Sequence, residues 1–168
     1  PYPTFNRKWY LSNDVIASIS KVTDDIVRNV APEVELHHLP HAVNDSVFCK
    51  IEDRDLIKGF KKENSIGVDS KGNERFTFFW NNRNARRKQS GSLMFWFNDF
   101  LDRVGRDKAT LIMHTEPKDP NGQDLLAIQE KLGFDDDQFK LSTNKLSIQQ
   151  LSVLYNTVDC TINISDAE

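Results

Sequence analysis

The stretch FTFFWNNRNARRKQSG, residues 76–91, runs from an apolar segment through two asparagines into four cations, Arg83, Arg86, Arg87 and Lys88, within six positions. Like charges that close repel one another, so an anion among them would be stabilised. The loop is expected to lie between a buried strand and a helix that begins near Ser90. A helix N-terminus offers free N–H groups and the positive end of the helix dipole, which already favours an anion. Arginine adds a two-pronged fork that fits phosphate oxygens, and lysine adds a point charge. Arg83 and Lys88 are therefore the candidates for a phosphate grip. A solvated basic loop is the plain alternative, and both readings stand on the residues alone. Nucleic acid is disfavoured as a partner, because the formal net charge is −3 and no aromatic-interleaved basic stripe accompanies the run.

Other residues with chemical potential are weaker candidates. His114 ends an apolar run and could touch a ligand, but a satisfied histidine is an equal reading. His37 and His38 should point to opposite faces of a strand, which argues against a metal site there or with His41. Asp135–Asp137 resembles a metal-binding acidic motif but falls on a helix-to-strand turn and reads as solvated surface. Trp80, Trp96 and Phe97 sit at core spacing rather than as a sugar platform. Cys49 and Cys160 are far apart and unpatterned, which fits free thiols in a reducing compartment. Neither G-x-G-x-x-G nor G-x-x-x-x-G-K-[ST] occurs, which argues against dinucleotide or P-loop chemistry.

The elements that must position these residues follow from apolar rhythm. Residues 14–20 read as a buried strand, 21–30 as a helix with Thr23 as N-cap, and 33–39 as a half-buried strand. Residues 40–48 are a loop, Leu56, Ile57 and Phe60 show helical spacing, and 65–75 is a polar loop with two glycines. From residue 76 the order is regular. Strands at 76–80, 110–115, 139–143 and 160–165 alternate with helices Ser90–Gly105, Asp124–Gly133 and Ser147–Val158, the last opened by a capping box of Ser147 and Gln150. Such alternation implies a parallel α/β sheet with right-handed crossovers. The 168 residues suit one domain, with 38% apolar and 28% charged residues and no apolar run of about 18 residues for a membrane span. The N-terminus shows no charged-then-apolar leader pattern, and it lacks an initiator Met, so the chain is expected to be a piece of a longer one. In an open α/β sheet, ligands bind beyond the carboxyl ends of the strands. The segments to watch are 81–88, 114–122, 143–146 and 165–168.

Five segments in order resemble retaining GT-B glycosyltransferases of the family-4, or group 1, type. NNRNARRKQ is similar to G-R-N-x-x-R-K, and LPHAVNDSVF to P-x-G-V-D-x-x-x-F. LIMHTEPKDPNGQDL is similar to L-x-x-H-x-x-x-x-x-x-G-x-D-L. LSIQQLSVLYNTVDCTINISDAE is similar to L-x-x-x-x-L-x-x-L-Y-x-x-A-D-V-x-x-x-P-S-x-x-E, and VIASISKVTDDIV to the stretch that closes the N-terminal domain.

This resemblance implies roles. The fold would be a Rossmann-like parallel sheet with helices on both faces, one half of a GT-B fold. Residues 1–40 would end an N-terminal acceptor domain or interdomain segment, and 41–168 would form an incomplete nucleotide-sugar-binding domain. Arg83 and Lys88 match the pair that grips the donor diphosphate. Glu168 matches the first glutamate of a paired signature near the donor sugar. Thr143 to Leu146 match the segment lining the nucleobase pocket, and His114 lies at the ligand edge. Asn82 stands where the family has glycine, which questions the loop's backbone freedom, and Asn44 stands where it has aspartate. A glycine-rich turn and a second glutamate are expected to follow Glu168 in the longer chain.

The expected activity is retaining, metal-independent transfer from a nucleotide-diphosphate sugar to a glycan, lipid or protein acceptor in the cytoplasm, with no cofactor. Any membrane contact would be peripheral and made outside this chain, and the piece alone is expected to self-associate or be marginally stable, and to be incomplete as a catalyst. Two alternatives are another phosphate-handling Rossmann-like enzyme and a non-catalytic module that binds a nucleotide or sugar phosphate on the same fold.

Overall fold

The computed structural model describes residue 2 and residues 4–166. It divides into two compact units, residues 1–45 and 46–168.

In the first unit a short helix α1 (Arg7–Tyr10) precedes β1 (Val15–Ser18), α2 (Lys21–Val30) and β2 (Glu35–His38). The two strands pair in parallel with Val15 opposite Glu35. Helix α2 buries Val27 and Val30, while Asp24 on the same face bonds Ser18 Oγ at 2.9 Å and Arg28 Nε at 2.6 Å. Thr23 is not the N-cap. Ser20 has the extended backbone a cap requires, and its Oγ accepts the Thr23 N–H at 3.1 Å. Nor is β1 buried throughout. Only Ser18 is buried, and Val15 and the following Ile19 are exposed, because one helix covers one face of a two-stranded sheet. Alternation in β2 is as expected, with His37 exposed beside Glu35 and His38 half-buried.

The second unit contains α3 (Arg54–Glu63), β3 (Phe76–Asn81), α4 (Ser90–Val104), β4 (Ala109–His114), α5 (Leu125–Leu132), β5 (Phe139–Ser142), α6 (Ile148–Thr157) and β6 (Cys160–Thr161). The sheet order is β5-β4-β3-β6 and every neighbouring pair is parallel. The three crossover helices start and stop where their caps place them. Gly105 and Gly133, both at positive φ, end α4 and α5. Ser147 and Gln150 form the capping box of α6, with bonds of 3.1 and 2.9 Å.

Strand alternation separates the core into two layers. Phe78, Trp80, Leu111 and Met113 face α4 and α5, meeting Leu93, Met94, Phe97 and Leu101. Phe79 and Ile112 face the other way, toward Phe60 of α3 and Leu154 of α6. Trp80 and Phe97 are core residues, but Trp96 is 57% exposed. Helix α4 buries positions 93, 94, 97 and 101, and Trp96 falls off that stripe. The last strand is also shorter than 160–165. After the Ile162 N–H bonds Phe79 O at 2.8 Å, the chain leaves the ladder, and the Asp166 N–H bonds Arg87 O at 2.8 Å.

Candidate functional site

Because all four strands run parallel, the loops after β3, β4, β5 and β6 gather at one carboxyl edge. Two of them are locked together. Asn84, fully buried in the loop after β3, donates from Nδ2 to Gln123 O at 2.7 Å and Pro117 O at 3.3 Å. Its Oδ1 accepts from Ser90 Oγ at 2.7 Å and from the Gln123 N–H at 3.2 Å. Gly122 passes so close that a Cβ there would lie 2.0 Å from Asn84 O. Gln123 Oε1 in turn accepts the Gly91 N–H at 2.7 Å, so a side chain from the neighbouring loop occupies one of the free N–H groups that open α4.

Within this frame Arg83 forks onto Asp119. Its Nε and Nη2 donate to the two carboxylate oxygens at 2.7 and 3.1 Å. The carboxylate is 10% exposed and the arginine side chain 64% exposed. Arg83 holds the Asp119 pKa below the ordinary carboxylate value, assisted by the Asn121 N–H, and Asp119 raises the guanidinium's pKa. Arg83 therefore already has an anion, supplied by the chain 36 residues away.

Residues Arg86–Lys88 form a 3₁₀ turn. Arg86 and Arg87 are exposed, and Lys88 is buried at 5% exposure. The turn ends at Gln89, which takes the left-handed conformation at φ 57°. Gln89 Nε2 donates to Asp166 Oδ2 at 2.6 Å and its Oε1 accepts from Ser92 Oγ at 2.7 Å. Asn82 has no positive φ, so an asparagine there costs no backbone strain; within this loop the residue at positive φ is Gln89.

Beside this loop, His114 Nδ1 lies 2.9 Å from Ser142 Oγ, a side-chain partner within the sheet edge. Thr115, next along, has a buried hydroxyl with no hydrogen-bond partner. Asn81 Nδ2 donates to Tyr155 Oη at 3.0 Å. Thr143 is exposed at the end of β5, and Leu146 packs half-buried against the Phe79 layer. Arg83, Lys88, Asn82, His114 and Thr143 thus share one edge of the sheet, while Leu146 belongs mainly to its core. Glu168 lies outside the described residues.

Asp119 and Gln123 were not singled out by the sequence reading, and Asn84 and Gly122 entered it only as positions of the motifs that carry the resemblance, with no role given. A further signal was the turn-forming PNG at 120–122 just before Gln123. The acidic run is structural. Asp137 accepts from Ser70 N and Oγ at 2.9 and 2.7 Å, and Asp135 caps its own turn at Asp137 N and Gln138 N. Among the described residues no group of three or more His, Cys, Asp or Glu could hold a metal. Cys49 and Cys160 are free thiols. No helix of the described residues is long and apolar enough to cross a membrane.

The fold matches the Rossmann-like half of a GT-B glycosyltransferase. The chain is similar to the C-terminal domain of a group 1 family glycosyl transferase from Francisella tularensis, with 16% identity and a TM-score of 0.55, covering 76% of this chain and 60% of that one. It is similar to a glycosyltransferase from Rickettsia africae at 14% identity and TM-score 0.66, over 97% of this chain and 42% of that one. The catalytic domain of starch synthase IV from Arabidopsis thaliana, bound to ADP and acarbose, aligns at 10% identity and TM-score 0.59, over 96% of this chain and 37% of that one. The chain therefore spans about 60% of the first of these structures and about two-fifths of the others. No family model matches the sequence, and no curated protein matches it.

Proposed function

We propose that this chain is the donor-binding part of a retaining glycosyltransferase that uses a nucleotide-diphosphate sugar. The observation that carries the proposal is the placement of Arg83 and Lys88, in a loop between the carboxyl end of β3 and the start of α4, within a fold shared with glycosyltransferase structures. Transfer from such a donor builds negative charge on the departing diphosphate. Fixed cations beside a helix start stabilise that charge, and losing one such donor raises the barrier by about 3 kcal/mol. The Arg83 side chain is mostly exposed, with its fork held by Asp119. The diphosphate would share or displace Asp119 there, and a metal ion would not be required. Thr143 and His114 would flank the nucleoside, and Glu168 would accept hydrogen bonds from the donor sugar. Residues 1–40 would close an acceptor-side domain. The acceptor would be a glycan, lipid or protein, and the setting cytoplasmic.

A non-catalytic module on the same fold is the second reading. The observation that favours it is the Arg83–Asp119 pair, which satisfies the guanidinium without a ligand. Calorimetric titration with a panel of nucleoside diphosphates tests the proposal. Binding that falls in Arg83→Ala and is absent for the bare nucleosides supports it. Failure of every diphosphate to bind would leave the carboxyl edge without a donor site and end the proposal.

A further inference from the structure

A group of cations without carboxylate partners among the described residues lies at the opposite edge of the sheet. A cavity of about 630 Å³ opens beside the start of β3, lined by Lys58, Lys61 and Lys62 of α3 and by Arg75. The lysines stand at i, i+3 and i+4, which puts them on one helix face. Among the described residues no carboxylate pairs with any of the three, whereas Lys50, Lys108 and Lys118 each hold one. Arg75 is 6% exposed. Its Nε donates to Thr110 Oγ1 at 3.1 Å and its Nη2 to the carbonyls of Arg106 and Ala109 at 2.7 and 2.6 Å. Those three oxygens are neutral, so the hydrogen bonds fix the guanidinium at the cavity wall without cancelling its charge. Asp69 and Asp107 feel that charge only through space.

The lining also contains Glu74 and Asp159, and one Asp159 oxygen is taken by the Thr77 N–H at 2.7 Å. Four cations against two carboxylates leave an excess of two positive charges. The negative end of α3 lies here as well, so a ligand would be held by side chains and not by the helix. Ile66 and the half-exposed ring of Phe76 supply an apolar wall. The volume falls within the range of about 300–1,000 Å³ typical of small-molecule sites.

We propose that this amino-edge cavity binds a phosphomonoester of a small metabolite, separately from the site at the carboxyl edge. A phosphomonoester carries about −1.5 to −2 charge at neutral pH, which balances the excess of the lining. Its carbon body would lie against Phe76 and Ile66. Three side-chain ammoniums on one helix face would then find the counter-charge that the chain itself does not supply.

Glycerol 3-phosphate is the probe. Its titration into isotopically labelled protein is expected to shift the amide signals of Gly67, Val68, Phe76 and Asp159, while glycerol at the same concentration shifts none. The paired substitution Lys58→Gln with Lys62→Gln, both at exposed positions, should weaken binding at least about tenfold. It should leave nucleoside-diphosphate binding unchanged, and Arg83→Ala should leave glycerol 3-phosphate binding unchanged. An unaltered affinity in the paired variant, shifts confined to residues 82–90, or no saturable binding would each overturn the proposal.

Discussion

Arg83 and Asp119, 36 residues apart, form a two-pronged ion pair across the two loops that close the carboxyl edge of the sheet. The pair lies beside a small cavity of about 270 Å³ lined by Lys118, Asp119 and Gln123. An arginine held this way is oriented before any ligand arrives, and its fork is occupied by a group with the charge and geometry of half a phosphate. If a diphosphate is the ligand, the carboxylate is its competitor. Arg83→Ala should weaken nucleoside-diphosphate binding by about 1.5 to 3 kcal/mol, as for a hydrogen bond to a charged group. Arg86→Ala should cost under about 1 kcal/mol, since that side chain is exposed. Asp119→Asn keeps an acceptor for the Asn121 N–H while removing the competing charge, and should tighten binding several-fold. Isothermal calorimetry separates these effects. Equal losses in Arg83→Ala and Arg86→Ala would mean a diffuse basic surface.

The same pair makes stability depend on acid. Asp119 has a lower pKa folded than unfolded, so its contribution is fully present above the ordinary carboxylate value near about 3.9 and is lost as pH falls through the depressed value. Asp24, Asp69 and Asp124 are depressed in the same direction, by Arg28, Asn73 and Lys118 respectively as the main causes. Thermal melts should therefore be flat near neutrality and fall steeply below about pH 4. Asp119→Asn should be less stable than the parent at pH 7 and converge with it in acid. A constant gap between the two curves down to the lowest pH would remove the ion pair as the cause.

The Asn84–Gly122 contact is a packing lock with no spare room. Gly122→Ala places a methyl group 2.0 Å from a backbone oxygen, which a loop can relieve only by moving. Its cost should be about 2 kcal/mol or more. Asn84→Ala removes the 2.7 Å acceptor of the Ser90 hydroxyl and the partners of the Gln123 N–H and carbonyl, and should cost about 3 kcal/mol. Urea denaturation measures both. A wild-type midpoint in Gly122→Ala would show that the two loops are not bound together as described.

Beyond the carboxyl end of β5, the capping box predicts a smaller effect. Ser147→Ala removes the acceptor of the Gln150 N–H and should lower stability by about 1 kcal/mol, read as a shift of the denaturation midpoint. Ser147→Asp should restore most of the loss, because aspartate caps as well as serine and favours the positive helix end.

What the sequence determined by itself is local. The alternation of four strands with three crossover helices, the glycine stops at Gly105 and Gly133 and the box at Ser147 all depend on contacts within a few residues, so their pattern is written in order along the chain. Where two local solutions compete, the chain alone did not choose. Ser20 and Thr23 both suit an N-cap, and the extended backbone at Ser20 selects it. Trp96 has the composition of a core residue, but its angle on α4 turns it outward. The candidate site was legible only as a cluster of charge. Its organisation rests on pairs 33 to 39 residues apart, and a polar loop asparagine such as Asn84 gives no sign that it will be fully buried. Only folding brings the loops after β3 and β4 together, where removal from water favours pairing of buried polar groups such as the Asn84 amide. That tertiary demand gave Arg83 its carboxylate, while the lysines of α3 line a cavity whose two carboxylates, Glu74 and Asp159, pair with none of them among the described residues.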